Sequence, residues 1–371
     1  MLTRNALKNP YAVLAVCLIV FCRRVRFRLP VISLALFILI LCELAPFGSL
    51  VIGYAWEWVP SNEEIEKYRL SWNPFSHGPL LISSPDIQPE GQWYIRPMIF
   101  SQIGESSYGN KFEPFWKAKS GPVHLYSVQD PFIQSAYGLT NHVELVAQTS
   151  VSSFWARQDG KVTTDTGLGD TSLIVKYRPV VQDPDTWVPS INWFNQLALP
   201  TSKWTDTSKP PGGFSPIGRF PSTRFGEVGI TSGIAFRKNL QPYRWSGGVY
   251  YTYSAPGEQN GMTTYPGDLI NTRLIFEHIL SDKHGFGYTL EFATLHGLTG
   301  RLDGKEVNAG MTSGFSVVSV EPAIQWRFGD TNFVGAAGVL FTLAGQNAIN
   351  AFYPNFSIFW YWSKTGKVIM R

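Results

Sequence analysis

The sequence predicts an all-β fold, an antiparallel transmembrane β-barrel of about twelve strands with an N-terminal helical signal segment. Three observations predict it: long strands that alternate apolar and mixed faces, connections that alternate between long and short, and an aromatic-rich composition. Aromatic residues make up 15% of the 371 residues. Charged residues make up only 16%, against the ~25% usual in soluble globular proteins. The net charge of +4, with no basic stripe beyond the N-terminal region, gives no indication of nucleic-acid binding.

Residues 1–55 have the pattern of a signal or targeting segment. Two apolar runs, 11–22 and 29–41, flank the basic stretch 23–28, and each is shorter than the ~20 residues of a membrane-spanning helix. The second run follows positive residues as in a secretory signal, and the small residues Gly53 and Ala55 predict a cleavage site. The competing interpretation is an inner-membrane anchor that continues through residue 54 as one span.

Cysteine is confined to this first segment. Cys17, Cys22 and Cys42 all lie within it, and residues 43–371 contain none. A chain that enters an oxidising compartment avoids free thiols, because they would form wrong disulfides there. The distribution therefore favours export and excludes a thiolate metal site in the remaining chain.

Residues 56–90 are predicted to be a periplasmic N-terminal extension. Ser61-Asn62-Glu63-Glu64 fits a capping box and predicts a short helix to about Leu70. Four prolines, at positions 74, 79, 85 and 89, exclude regular structure after that helix. The barrel is predicted over 91–362, with a C-terminal tail at 363–371.

Twelve strand candidates follow in the barrel region. Their typical length of 11–14 residues suits a tilted strand that crosses a bilayer, whereas strands in soluble sheets have about five or six. The candidates are 92–103, 124–137, 142–157, 167–179, 190–200, 225–237, 243–254, 268–280, 285–296, 315–328, 332–344 and 351–362.

Many candidates place apolar residues on one face only. Phe286, Tyr288, Leu290 and Phe292 share a face in the candidate 285–296, opposite a mixed face. Aromatic residues near strand ends predict the interfacial girdles of a membrane barrel. They are Trp155, Tyr177, Trp193, Trp245, Trp326, Trp360 and Trp362.

Long and tight connections alternate along the candidates, and only 180–189 breaks the rule. Outer-membrane barrels have short turns on the periplasmic side and long loops outside. The pattern therefore predicts location in the outer membrane, with both termini in the periplasm. The long connections are 104–123, 201–224, 255–267 and 297–314, and the tight ones are 138–141, 238–242, 281–284 and 329–330.

If the apolar rows face lipid, the opposite rows line a lumen with charges of both signs. A lumen of twelve strands is narrow and selective, since about eight strands leave room only for side chains and about sixteen open an aqueous channel. We therefore predict a passive transporter or channel for small solutes. The alternatives are a plugged lumen of cross-strand ion pairs and a structural or adhesive barrel without transport. The predicted lumen-lining residues are Asp170, Lys176, Arg178, Glu227, Arg273, Glu277, Glu291, Glu321 and Arg327.

One motif resembles a known family. Residues 166–173, with the sequence Thr-Gly-Leu-Gly-Asp-Thr-Ser-Leu, and Lys176-Tyr177-Arg178 resemble a strand of the transporter family named for the MetA pathway of phenol degradation. Residues 89–93 and 197–201 also match, and the resemblance covers roughly 85–362. It implies a Gram-negative outer-membrane barrel that passes small, often aromatic or apolar, compounds, and it supplies no catalytic residues.

Neither an enzyme nor a cofactor is predicted. The six histidines lack a metal-ligand spacing such as His-Glu-x-x-His. A rim lipid hydrolase is the remaining enzymatic alternative, with His296–Ser313 or His142–Ser150 as its side-chain pair. The predicted partners are outer-membrane lipid, a small-molecule solute, and the export and barrel-assembly machinery.

Overall fold

The computed structural model describes residues 59–81, 85–158, 161–201, 228–259, 262–306, 314–366 and 368. These residues belong to the unit formed by residues 58–371, and the predicted signal segment lies outside them. Twelve long strands form a closed antiparallel sheet, which confirms the predicted barrel. They are β1 (Gln92–Ser107), β2 (Lys119–Gly138), β3 (Val143–Gln158), β4 (Thr171–Val180), β5 (Ser190–Leu199), β6 (Gly229–Leu240), β7 (Tyr243–Ser254), β8 (Leu269–Ser281), β9 (Phe286–Gly297), β10 (Phe315–Arg327), β11 (Phe333–Gln346) and β12 (Ile349–Ser363).

Each of these strands pairs with its neighbour in sequence, and β12 pairs with β1 to close the ring. Trp93 lies opposite Trp362 at this closure. Closure leaves no unpaired sheet edge, as hydrocarbon requires of a β structure. Six shorter strands extend the sheet or form a small sheet of their own within the described residues, namely Glu113–Pro114, Lys161–Leu168, Gly257–Gln259, Met262–Tyr265, Arg301–Leu302 and Lys305–Glu306.

The two ends of the barrel differ in their connections. β1 begins and β12 ends at one end, which we call the turn end, where 139–142, 241–242, 282–285 and 328–332 are short connections. The opposite end, the loop end, carries the longer connections, apart from the two residues 347–348. Since outer-membrane barrels have short periplasmic turns, we expect the turn end to face the periplasm.

The outer surface of the barrel is apolar and its inner surface is mixed. In β9 the side chains of Phe286, Tyr288 and Phe292 are exposed, whereas Thr289 and Glu291 are buried. A belt of this kind is solvated by lipid rather than by water, so the barrel lies in the outer membrane. Further exposed members of the belt are Ile99, Leu145, Leu173, Val175, Trp193, Ile230, Ile234, Val249, Leu274, Ile324, Phe341, Phe352, Phe356 and Trp360.

A charge placed in the middle of this belt tests the orientation of the strands. Ile234 lies near the centre of β6 and is 58% exposed. We expect Ile234→Arg to lower the free energy of unfolding in lipid by about 2–4 kcal/mol, because the guanidinium must enter hydrocarbon. Ile234→Leu is the matched control and should leave it unchanged. Urea titration of vesicle-embedded protein measures both, and an equal effect of the two variants would contradict an outward-facing Ile234.

In the described residues before β1, the chain forms the helix α1 (Asn62–Leu70) at the turn end. Ser61 Oγ accepts a hydrogen bond from Glu64 N at 3.2 Å, and Ser61 N donates to Glu64 Oε2 at 2.7 Å. Ile65 and Tyr68 are buried with Val181, which belongs to the longer turn 181–189. The turn 181–189 is longer than the predicted alternation of short and long connections allows, because it packs against α1. Among the described residues, no helix is long and apolar enough to cross a membrane.

An ion pair also attaches α1 to this turn. Lys67 Nζ lies 2.8 Å from both Asp183 Oδ1 and Asp185 Oδ2. The hydrogen bond from Lys67 lowers the pKa of Asp183, so the ionised Asp183 stabilises the fold at neutral pH. This stabilisation is lost as the pH falls below ~3.9, the ordinary pKa of aspartate, and then through the lowered pKa of Asp183.

We therefore expect hydrogen exchange of residues 62–70 to accelerate on acidification, after correction for the intrinsic rate. The change should be modest, since the pair is exposed and Ile65 and Tyr68 still hold the helix. Lys67→Met should exchange faster at neutral pH and respond less to acid. Identical pH profiles for the parent and Lys67→Met would contradict a role for this pair.

Candidate functional site

The chain that follows α1 lies inside the barrel at the turn end. We call residues 72–81 and 85–89 the lumenal segment. Ser76, His77, Leu80, Asp86 and Ile87 are all buried, although these residues form no helix or strand. The four prolines predicted to interrupt regular structure lie in this segment. Its unpaired backbone groups must therefore find partners on the barrel wall.

One half of the segment binds the wall through its backbone. Gly78 N donates to Gln325 Oε1 at 3.0 Å, and Leu80 N donates to Glu291 Oε1. The guanidinium of Arg96 donates to the carbonyl oxygen of Leu80. These three wall residues come from β10, β9 and β1, so the segment joins strands that are distant in the sequence.

Side chains of the same half are also held. His77 Nε2 and Ser357 Oγ are hydrogen-bonded, and the Leu80 side chain is buried against Ala323 and Ala336. The apolar contact and the hydrogen bonds act together to keep this part of the segment on the wall. All of these contacts are non-covalent, so displacement of the segment breaks no bond of the chain.

The other half of the segment meets a group of buried charges, which we call the charged cluster. Arg237 Nη1 lies 2.7 Å from Asp86 Oδ2, and Arg178 Nη1 lies 3.8 Å from Asp86 Oδ1. The Tyr68 hydroxyl of α1 also donates to Asp86 Oδ2, at 2.8 Å. The members of the cluster are Asp86, Glu144, Lys176, Arg178, Arg237, Arg244 and Glu277, all buried.

Strand register brings the wall members of the cluster together. Glu144 lies opposite Lys176 on β3 and β4, and their charged atoms are 2.5 Å apart. Arg244 lies opposite Glu277 on β7 and β8, at 3.3 Å. Arg237 is 3.7 Å from Glu277 and thereby links this pair to Asp86. Opposite charges directly across from each other stabilise the pairing of their strands.

Further cluster contacts reach the backbone and the side chains of the segment. Gln88 N donates to Glu144 Oε2 at 2.6 Å, and Lys176 Nζ donates to Asp86 O at 2.9 Å. Arg244 donates to Asn73 Oδ1 at 3.1 Å. The cluster is therefore both part of the wall and the anchor of the segment.

The predicted lumen-lining residues fall into several groups. Lys176, Arg178 and Glu277 belong to the charged cluster. Glu291 and Glu321 lie directly opposite each other on β9 and β10, and both side chains are buried. These five residues face the interior together.

The other predicted residues lie outside the charged cluster. Arg273 is half-buried on β8, on the same inward face as Glu277, and donates to Asn271 Oδ1 at 2.9 Å. Arg327 lies at the turn end, with its guanidinium 4.5 Å from the ring centre of Phe75 in the lumenal segment. Asp170 is half-buried in a loop-end connection, so it does not join the cluster. Glu227 lies outside the described residues.

Sequence reasoning missed several residues of this site. Arg96, Glu144, Arg237 and Arg244 are buried on inward faces, each within a predicted strand. The sequence pattern could have identified them, because each directly follows an apolar residue of the opposite face. Asp86 gave no such signal, since it lies in a segment without periodicity.

Aromatic rings also face the interior. Tyr94 and Phe359 are buried with ring centres 4.8 Å apart, and Phe194 and Tyr250 are buried with ring centres 5.3 Å apart. These rings belong to one buried apolar cluster that crosses several strands. The interior therefore offers apolar surface next to charge.

Of the two predicted hydrolase pairs, the structure describes both members of His142–Ser150 only, and it does not bring them together. Ser313 lies outside the described residues, and His296 instead has Nδ1 2.7 Å from Ser316 Oγ on the exposed face of β9. His142 and Ser150 are eight positions apart along one extended chain, about 26 Å at ~3.3 Å per residue. In the described part of the chain, no three His, Cys, Asp or Glu residues are grouped as metal ligands.

The Gly-Leu-Gly-Asp motif marks a close approach of two strands. Gly169 N donates to Ser150 O at 2.7 Å, and a Cβ at Gly169 would lie 2.2 Å from Ser150 Oγ. Leu168 ends the short strand Lys161–Leu168, and β4 starts at Thr171, whereas one strand was predicted from residue 167. The motif is therefore the turn between two strands rather than the start of one.

Comparison with known proteins supports the fold. No family model and no curated protein sequence matches the chain. A crystal structure of an outer membrane channel from Pseudomonas putida F1 aligns with a TM-score of 0.60 at 12% identity, over 76% of this chain and 100% of that chain. The translocator domain of autotransporter NalP from Neisseria meningitidis aligns with a TM-score of 0.42 at 11% identity, over 72% and 88%. The Ralstonia pickettii toluene transporter TbuX aligns with a TM-score of 0.34 at 8% identity, over 76% and 90%. The alignment with the channel from Pseudomonas putida F1 shows that the chain has the fold of an outer-membrane β-barrel.

Proposed function

We propose that the protein is a passive outer-membrane channel for small solutes, and that the lumenal segment closes its periplasmic half. The buried charges on the inner wall carry this proposal. Burial of charge is unfavourable unless it is paired, so a barrel that served only as a membrane anchor would be more stable with an apolar interior. The structural neighbour from Pseudomonas putida F1 is itself a channel, which supports the same function.

The inner aromatic rings bear on the class of solute. Tyr94, Phe194, Tyr250 and Phe359 offer apolar surface inside the barrel. A solute with an aromatic or apolar part would gain contacts with these rings as it loses water. This agrees with the small, often aromatic or apolar, compounds that the resemblance to the MetA-pathway family implies.

The lumenal segment lies on the proposed route. A solute that enters at the loop end meets it in the turn-end half of the barrel, where the segment binds strands on both sides of the lumen. Passage therefore requires the segment to move. The segment has no regular structure of its own, so its movement disrupts no helix or strand.

Recordings from the purified protein in planar lipid bilayers test the function. We expect small, discrete conductance steps, with infrequent opening because the segment must detach first. Swelling of solute-loaded liposomes gives an independent measure for uncharged compounds. Absence of both current and swelling would contradict transport and favour the structural or adhesive alternative.

A further inference from the structure

Two buried arginines around Asp86 have unused hydrogen-bond donors. Arg178 and Arg237 are 1% and 4% exposed. Among the described residues, Nε and Nη1 of Arg178 and Nε and Nη2 of Arg237 have no hydrogen-bond partner. Arg178 approaches Asp86 only to 3.8 Å, so one aspartate does not fill the donor capacity of both guanidiniums. Buried donors without partners are unfavourable, and their retention points to a further acceptor.

The charge balance of the cluster points the same way. The wall contributes four cations, Lys176, Arg178, Arg237 and Arg244, but only two carboxylates, Glu144 and Glu277. The third carboxylate is Asp86, which belongs to the segment and not to the wall. When the segment moves, the wall retains an excess of buried positive charge. A second anion is then needed to compensate it.

Apolar surface lies next to these cations. Phe194 is opposite Lys176 in the register of β4 and β5, and its ring packs on Tyr250. A planar molecule with a carboxylate at one end and a ring at the other could contact both kinds of surface. Guanidinium groups bind carboxylates through two parallel hydrogen bonds, and the unused Nε and Nη2 of Arg237 lie on one edge that suits this mode, while Arg178 offers single donors.

We propose that Arg178 and Arg237 form a binding site for the carboxylate of an aromatic acid, and that Asp86 occupies this site in the closed channel. The incoming carboxylate replaces that of Asp86 and releases the segment. The proposal rests on the proposed function for its role in transport, while the binding site itself can be measured without transport. The solute thus opens the channel that carries it.

A thiol reporter measures release of the segment. Cys17, Cys22 and Cys42 are replaced by serine, and Ile87, which is 1% exposed next to Asp86, is replaced by cysteine. The full chain in detergent micelles is treated with a maleimide in the presence of sodium benzoate or benzamide. The two compounds match in shape and differ in the carboxylate. We expect saturating benzoate to accelerate labelling at least tenfold and benzamide to accelerate it less than twofold.

Two further measurements complete the test. Arg237→Met in the reporter chain should remove the response to benzoate, and calorimetric titration of the parent should show binding of benzoate but not of benzamide. If Arg237→Met does not fold, the calorimetric titration of the parent tests the site by itself. Equal responses to benzoate and benzamide, or no response to either, would overturn the site. Neither measurement depends on conductance. Selective binding of benzoate without current in bilayers would refute the channel and retain the site. Current without selective binding would refute the site and retain the channel.

Discussion

A disulfide between positions 80 and 336 is expected to abolish solute conductance, and reduction of the disulfide should restore it. Leu80 is 1% exposed and packs on Ala336 of β11, so cysteines at both positions would tie the segment to the wall. The tie prevents the movement that the channel needs. With Cys17, Cys22 and Cys42 replaced by serine, no other thiol competes. We expect at least a tenfold loss of mean current in planar bilayers under oxidising conditions.

The single variant Leu80→Cys in the same background is the matched control. It should conduct like the parent under both redox conditions, because it lacks the partner thiol on β11. A maleimide gel-shift assay establishes that the pair has oxidised before currents are compared. Unchanged current through the fully oxidised protein would show that solutes pass beside the segment, and the closed-channel proposal would then be wrong.

The barrel could be predicted from sequence because its strands obey a local rule. Each strand faces lipid on one side, so residues such as Phe286, Tyr288 and Phe292 must recur at every second position. The rule holds along most of the chain and also defines the inner face. For the same reason Lys176, Arg178 and Glu277 could be assigned to the lumen before their partners were known.

The contents of the lumen follow no such rule. Asp86 lies 151 residues from Arg237, and Leu80 lies 211 residues from Glu291. The segment between α1 and β1 is rich in proline, and its backbone is satisfied by side chains rather than by a repeating ladder. Contacts of this kind leave no periodic trace in one sequence. The chain was therefore predicted only as an extension, without a position inside the barrel.

The second predicted strand shows how a bulge in the strand pairing obscures the sequence pattern of a strand. Pro131 cannot donate to a ladder, so the candidate 124–137 departs from the regular pattern of a membrane strand. In the structure β2 spans Lys119–Gly138, and its register with β3 shifts between Gln129 and Phe132. The shift is a bulge that leaves this part of the ladder unpaired. A pattern search that expects strict pairing underestimates such a strand.

Loss of Arg237 is expected to have the largest effect on stability among single substitutions in the charged cluster. This side chain lies 2.7 Å from Asp86 and 3.7 Å from Glu277. Arg237→Met keeps most of the side-chain volume but leaves both carboxylates buried without their shared cation. Removal of one partner from a buried ion pair costs about 3–5 kcal/mol. We expect a loss of this size in the free energy of unfolding, measured by urea titration in vesicles.

A double-mutant cycle with Asp86→Asn distinguishes how much of the stabilisation by Arg237 comes from Asp86 and how much from Glu277. If Arg237 chiefly neutralises Asp86, the double variant should be more stable than the sum of the single losses implies, with a coupling of about 0.5–3 kcal/mol. Arg301→Met is the exposed control, because Arg301 pairs with Glu306 at 3.2 Å on the loop end and such pairs contribute at most about 1 kcal/mol. Additive losses would mean that Arg237 acts through Glu277 alone. The segment would then be held by its backbone contacts to Gln325 and Glu291 rather than by its charge, and an anionic solute would have nothing to displace.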